Sequence, residues 1–325
     1  MTRPVIALTG TVLAEEAKAL LAAAGASVHY IGNLPLSEAT LIEAMSRPGV
    51  NAILLRGSPP ITRRVLEAAK GLKIIAKHGA GIDSVDIAAA TELGIVIVNA
   101  GSTNADAVAE HALAMMLSLA RDLPMHDRKL RSGLWDKVNY EGREFRGRLV
   151  GIVGFGAIGR RTANLCAALG ARVVVHSRTR LADTGGYEQE TDFEALLKRV
   201  DILSLHCPLT GKNRGMMGAK QFALMKPDAM LVNTGRGGLV DEPALHEALT
   251  TGKIACAGLE VFAKEPTDPD NPLLRLPNVL SSPHVSAITR ETLNRLGVVT
   301  AGQIIDFLRD GTLDRTKLIN PQVLG

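Results

Sequence analysis

The chain has 325 residues, 46% of them hydrophobic but only 3% aromatic, and this length with 32 glycines suits a soluble α/β protein of two domains of about 150 residues each. No apolar run approaches the roughly 18 residues that span a bilayer, and three scattered cysteines (Cys166, Cys207, Cys256) exclude a disulfide framework and a C-x-x-C metal site. The net charge of +4 favours anionic ligands, but Lys and Arg are spread rather than blocked, so nucleic-acid binding is not expected.

A first strand is predicted at residues 5–8, which leaves no place for a signal peptide. The cysteines then read as small buried residues of a reducing cytoplasm. Helices over 14–24, 37–45 and 62–70 alternate with strands over 27–30, 52–55, 73–76 and 95–98. Such alternation implies a parallel sheet covered on both faces. Residues 105–120 form a long Ala- and Met-rich helix, and the polar, irregular stretch 121–147 marks a boundary; Trp135, in that stretch, is assigned to packing. Alternation restarts at Leu149, with strands over 149–153, 172–176, 201–205, 229–233, 254–258 and 279–282. Lys264 to Pro277 carries four prolines and no periodicity, so it reads as a loop.

The richest stretch is Gly151-Ile-Val-Gly154-Phe-Gly156-Ala157-Ile158-Gly159-Arg160. It lies between a predicted strand and a helix over 160–169. Gly154 permits the tight turn, Gly156 lets backbone approach a pyrophosphate, and Gly159 lets the helix pack against the strand. The pyrophosphate would sit at the helix N-terminus, where unpaired N–H groups favour negative charge. The following strand ends in Ser177-Arg178-Thr179-Arg180 where an NAD-binding chain usually carries Asp or Glu for the ribose 2′-hydroxyl. Two arginines and no acid predict a preference for NADP, with NAD as the possible second cofactor.

Open parallel sheets bind ligands at the carboxyl ends of their strands. Asn233-Thr234-Gly-Arg236-Gly, Glu260 to Glu265, and Pro283-His284 each follow a predicted strand. Together they suit reduction of a 2-oxo acid: His284 donates a proton to the carbonyl oxygen, Glu265 raises the pKa of His284, and Arg236 polarises the carbonyl and holds the carboxylate. Taken singly, each is equally a surface charge or a strand-end cap. His111, inside the apolar helix, and His176, at a strand end, read as structural, and no metal site or Ser-His-Asp arrangement is expected.

With these motifs in hand, the chain resembles the D-isomer-specific 2-hydroxyacid dehydrogenases, which include phosphoglycerate dehydrogenases and glyoxylate/hydroxypyruvate reductases. The resemblance runs through His78-Gly-Ala80-Gly81-Ile-Asp83, Asn104 with Val108-Ala-Glu110, the Gly154 fingerprint, His206-Cys-Pro208-Leu-Thr210, Asn233-Thr-Gly-Arg236-Gly, Gly258-Leu-Glu260, Glu265-Pro266 and Pro283-His284. It implies two Rossmann-like or flavodoxin-like doubly wound domains with a cleft between them. Residues 1–100 and 286–325, including a final helix near 289–309, would form a discontinuous substrate-binding domain, and 101–285 the dinucleotide-binding domain. It implies catalysis by Arg236, Glu265 and His284. It also implies cofactor contacts from Gly154, Gly156, Ala157, Ile158, Gly159, Ser177, Arg178, Thr179, His206, Pro208, Thr234 and Glu260. Substrate would be held by the amides of Ala80 and Gly81 and by Arg56, and the assembly would be a homodimer.

The chain departs from the family pattern at Glu260, where Asp is usual near the nicotinamide carboxamide. It departs again at Gly101-Ser102 and at Val285-Ser286-Ala287, both placed to reshape a substrate pocket. The expected activity is an NADP-preferring glyoxylate or hydroxypyruvate reductase. The alternatives are 3-phosphoglycerate dehydrogenase activity, although Arg63 and Arg64 read as a solvated helix start and no appended regulatory domain is expected, and a non-catalytic dinucleotide-sensing scaffold. Formate oxidation is disfavoured, because the relatives that perform it pair the histidine with Gln.

Overall fold

The computed structural model describes residues 3–138 and 140–324. These residues divide into two compact units: one runs to Asn104 and resumes at Ala287, and the other spans Ala105–Ser286. The crossovers thus fall slightly beyond the expected 100/101 and 285/286. Local bonding accounts for this, since Thr103 Oγ1 donates to Ala100 O, whereas the Ser286 N–H donates to the Glu260 carboxylate.

The first unit holds β1 (Val5–Leu8), β2 (Ser27–Tyr30), β3 (Val50–Leu55), β4 (Ile74–Lys77) and β5 (Val96–Asn99), in the order β2-β1-β3-β4-β5. Every strand pair in it is parallel. Alternate residues feed two cores, as the period of two requires. Ile53, Leu55, Ile75 and Ile97 pack with Leu41, Met45 and Val65 on one face. Leu54, Ile74, Ala76 and Val98 pack with Leu21, Ala301 and Ile304 on the other. The helix supplying Ala301 and Ile304, Arg290–Asp310, starts on a Thr289 cap and stops at Gly311 with φ 77°. Beyond it, the edge of β5 is closed by the chain's last residues. Leu318 bridges Val98 antiparallel, the Ile319 N–H donates to Ile97 O at 2.9 Å, and buried Asn320 accepts from Ile97 N at 2.8 Å and donates to Ile95 O at 2.9 Å.

The second unit holds β6 (Leu149–Val153), β7 (Arg172–His176), β8 (Glu188–Glu190), β9 (Ile202–Leu205), β10 (Met230–Asn233), β11 (Cys256–Leu259) and β12 (Val279–Ser281). Their order is β12-β11-β10-β9-β6-β7-β8, again parallel throughout. Strands β9, β10 and β11 are buried along their whole length, as a sheet covered on both faces demands. Met115, Met116 and Leu119 of the helix Ala105–Ala120 lie against one face. Leu196, Phe222 and Leu245 lie against the other.

Several elements differ from the sequence reading. The stretch expected to be irregular contains a helix, Leu123–Arg131, with no buried residue, and Trp135 beyond it is 78% exposed rather than packed. Helix Ile87–Glu92, capped by Asp86, and edge strand β8 were not expected. The helix after the glycine turn starts at Ala157, not Arg160, and the loop over 264–277 contains a 3-10 turn at Pro272–Arg275.

Candidate active site

In the second sheet the chain runs outward from β6 through β7 to β8, then returns on the other side through β9 to β12. The order reverses between β6 and β9, and in such sheets the crevice at the carboxyl ends of these strands receives the ligand. Gly154 and His206 follow those two ends. Gly154 turns the chain at φ 91°, and a Cβ there would lie 2.7 Å from Cys207 N. A Cβ on Gly159 would lie 2.1 Å from Gly154 O, so both must be glycine for turn and helix to close on one another. Helix Ala157–Ala168 begins on Gly156 with no side-chain cap, so its first amides keep their N–H groups for an anion. That arrangement fits the pyrophosphate of a dinucleotide.

Across the reversal, His206 is bracketed by Ser204 Oγ (2.9 Å) and Thr234 Oγ1 (3.1 Å). Burial pushes its pKa down to about 4, which keeps the ring neutral. Asn213 shapes the following loop by donating to Pro208 O at 2.8 Å and accepting from Thr210 N at 2.6 Å. At the end of β7, Ser177 is half-buried and Arg178, Thr179 and Arg180 are exposed. Neither arginine forms an ion pair among the described residues. Nearby Arg160, by contrast, pairs with Asp183 at 2.9 Å and lies 4.4 Å above the Phe155 ring.

The three expected catalytic side chains come together at the ends of β10, β11 and β12. Asn233 shapes the turn after β10, accepting from Gly235 N at 3.0 Å and donating to Arg236 O at 2.9 Å. A Cβ on Gly237 would lie 1.9 Å from the Phe262 carbonyl carbon. Only glycine therefore lets the Arg236 turn press against the loop that carries Glu265. There Glu265 Oε1 accepts from Phe262 N at 3.0 Å, and Oε2 lies 2.7 Å from His284 Nδ1. Burial works to raise the Glu265 pKa, but the His284 hydrogen bond, the Phe262 N–H and the charge of Arg236 outweigh it and hold the carboxyl below its ordinary range. An ionised Glu265 fixes the proton on His284 Nδ1, so Nε2 is the atom left to exchange a proton with a ligand. His284 takes the left-handed conformation, φ 54°, which is uncommon for a residue other than glycine.

Glu260, expected as a cofactor contact, is fully buried. Its carboxylate accepts from Ser282 Oγ and Ser286 N and lies 3.2 Å from His111 Nε2. Burial favours the neutral acid, yet hydrogen bonds from His111, Ser282 and Ser286 reverse the balance and bring its pKa to about 2. Sequence reasoning read His111 as structural and Ser286 as part of a segment that could reshape a substrate pocket, and it did not single out Ser282. The only signal for His111 was a polar ring on an otherwise apolar helix.

In the first unit, Arg56 follows β3, and Ala80 and Gly81 follow β4. The backbone N–H of Arg56 donates to Thr9 Oγ1 at 2.7 Å, and its guanidinium, whose pKa burial lowers, donates to Val12 O. Burial, with the charge of Arg56, pushes the pKa of neighbouring His78 down to about 4. Asn99 Nδ2 holds Ala80 O at 3.0 Å.

Residues 113–286 match the family described as D-isomer specific 2-hydroxyacid dehydrogenase, NAD binding domain. The chain belongs to this family. It is 41% identical over 266 residues to a D-3-phosphoglycerate dehydrogenase of Archaeoglobus fulgidus, covering 81% of this chain and 50% of that one. A hydroxypyruvate reductase of Thermotoga maritima is 37% identical, with 80% of this chain and 86% of the relative covered. The chain spans about half the length of the phosphoglycerate dehydrogenases it matches. Among solved structures, the NADPH-dependent glyoxylate/hydroxypyruvate reductase of Sinorhizobium meliloti, in complex with NADP and malonate, is similar with a TM-score of 0.84 and 28% identity, covering 99% of this chain and 98% of that one. These neighbours share the two-sheet α/β architecture.

Proposed function

We propose that the protein interconverts a small 2-oxo acid and its D-2-hydroxy acid, with NADP as preferred cofactor and glyoxylate or hydroxypyruvate as substrate. The observation that carries the reading is the 2.7 Å contact of His284 Nδ1 with Glu265 beside the Arg236 turn. Bound nicotinamide supplies or accepts the hydride; the protein supplies position, proton and charge. Glu265 orients His284 through Nδ1, His284 Nε2 gives its proton to the carbonyl oxygen as the hydroxyl forms, and Arg236 draws charge onto that oxygen and holds the carboxylate. Ala157 and Ile158 amides at the uncapped helix start would hold the pyrophosphate, while His206, Pro208 and Thr234 line the opposite strand end.

The preference for NADP is supported by Ser177 in place of an acid and by Arg178 and Arg180, exposed and without carboxylate partners among the described residues. The 2′-phosphate is the dianion such a pair fits. A homodimer is supported by exposed Leu130, Leu134, Trp135 and Val138, and a reducing, cytoplasmic location by three free cysteines. No helix among the described residues is long and apolar enough to cross a membrane.

A second reading, 3-phosphoglycerate dehydrogenase, is favoured by the 41% identity to chains of that name. Initial rates with glyoxylate, hydroxypyruvate and 3-phosphohydroxypyruvate, each with NADPH and NADH, separate the two. The expected result is fastest turnover of the unphosphorylated acids with NADPH. Turnover of the phosphorylated acid alone would favour the second reading, and tight NADPH binding with no turnover would leave a dinucleotide-sensing scaffold.

A further inference from the structure

The loop that carries His284 is anchored on both sides by one buried carboxylate. Ser282 and Ser286 flank Pro283-His284-Val285, and both donate to Glu260, Ser282 through Oγ to Oε2 and Ser286 through its backbone N–H to Oε1. The backbone of the same residue takes the third anchor, because the His284 N–H donates to Glu260 O at 3.0 Å. Glu260 is itself held on all sides. It follows β11 directly, its N–H donates to Asn233 O at 3.1 Å, its side chain is 0% exposed, and His111 Nε2 sits 3.2 Å from Oε2 and 3.0 Å from Ser282 Oγ. His284, inside this bracket, is held at φ 54°, a conformation its own side chain disfavours. A strained residue persists only where its surroundings over-determine it, and here the surroundings are the two oxygens and the carbonyl of Glu260.

We propose that Glu260 is a positioning residue for His284, with its carboxylate clamping Ser282 to Ser286 so that the imidazole stays turned toward Glu265. The inference rests on the reading of His284 as the proton donor. The clamp depends on reach as well as charge, since the two oxygens accept from residues on either side of the histidine. Its ionised state, with a pKa of about 2, keeps both oxygens as acceptors. His111, on the helix Ala105–Ala120, completes the set and joins the catalytic loop to a rigid element.

The test is a coupling cycle on the full chain with the 2-oxo acid that turns over fastest. E260Q, in which one acceptor becomes a donor, is expected to lower kcat about tenfold while KM and the Kd for NADPH change less than twofold. S282A, which removes one anchor and leaves the carboxylate, is expected to lower kcat severalfold with the same retention of KM. In an H284Q background neither substitution should lower the rate further, because residues that act as a unit give non-additive losses. Losses that multiply in the H284Q background would overturn the clamp alone. A tenfold weaker Kd for NADPH with unchanged kcat in E260Q would overturn it in favour of direct contact with the nucleotide. Wild-type kcat in H284Q would overturn the role of the histidine, and the clamp with it. Should E260Q fail to fold, S282A with its own H284Q cycle separates the same outcomes.

Discussion

The two ends of the crevice in the second unit are built on opposite terms. At the ends of β6 and β7 several polar groups have no protein partner among the described residues: an uncapped helix start, a half-buried Ser177, and two exposed arginines without carboxylates. At the ends of β10 to β12 almost every polar group already has one. Asn233 holds the Arg236 turn, Glu265 is held by the Phe262 N–H and His284, and Glu260 is held by three donors. A region that binds an anion keeps its donors free for it, whereas a region that moves a proton must fix its geometry before the substrate arrives.

Exchanging free groups for fixed ones, or the reverse, tests this contrast. The largest effect is expected from E265Q, which keeps the shape of the pair and removes the carboxylate that holds His284 Nδ1. The rate of reduction should fall between about 10² and 10³-fold; an unchanged rate would remove Glu265 from the mechanism. Next is stability in acid. The Glu260 carboxyl is held at about 2 against an ordinary 4.5. A depressed carboxylate pKa stabilises the fold above the unfolded value, and that contribution drains away as pH falls toward the folded one. Wild-type protein should therefore lose on the order of 2 kcal/mol between about pH 4.5 and pH 2. Denaturant midpoints measured across that window should show a flatter dependence in E260Q. The smallest effect belongs to the other end of the crevice. S177D combined with R178A should move the NADPH-to-NADH ratio of kcat/KM about twentyfold toward NADH, and no movement would mean that these residues only decorate the surface.

Much of the scaffold was legible because its signals are local. Buried parallel strands such as Leu149–Val153 are unbroken apolar runs, and the glycine turn carries its geometry in its spacing. Helix Leu123–Arg131 escaped because five of its nine residues are charged or His and it is short, so Leu123, Met125 and Leu130 are too few to mark a period. Strand β8, Glu-Gln-Glu, escaped because a short edge strand needs no hydrophobic residue to pair with β7. Arg236, Glu265 and His284 were singled out because each lies in a loop after a predicted strand, and the fold sets Glu265 against His284. The Glu260 cluster was not, because its bonds join residues as far apart as His111 and Ser282, 171 positions in sequence, and no spacing rule connects them. His111 looked structural from its apolar neighbours, and only the fold brings it to the carboxylate.

The closure of β5 by residues 318–320 also sets an order of assembly. An open sheet edge is a template for pairing with other chains, and here the missing edge partner is synthesised after the whole of the second unit. On the ribosome, residues 105–286 can bury both their cores while the first sheet still waits for helix 290–310 and for Asn320. Until residues 318–320 are made, the outer edge of β5 stays open, and such unpaired edges are where nascent chains misassemble.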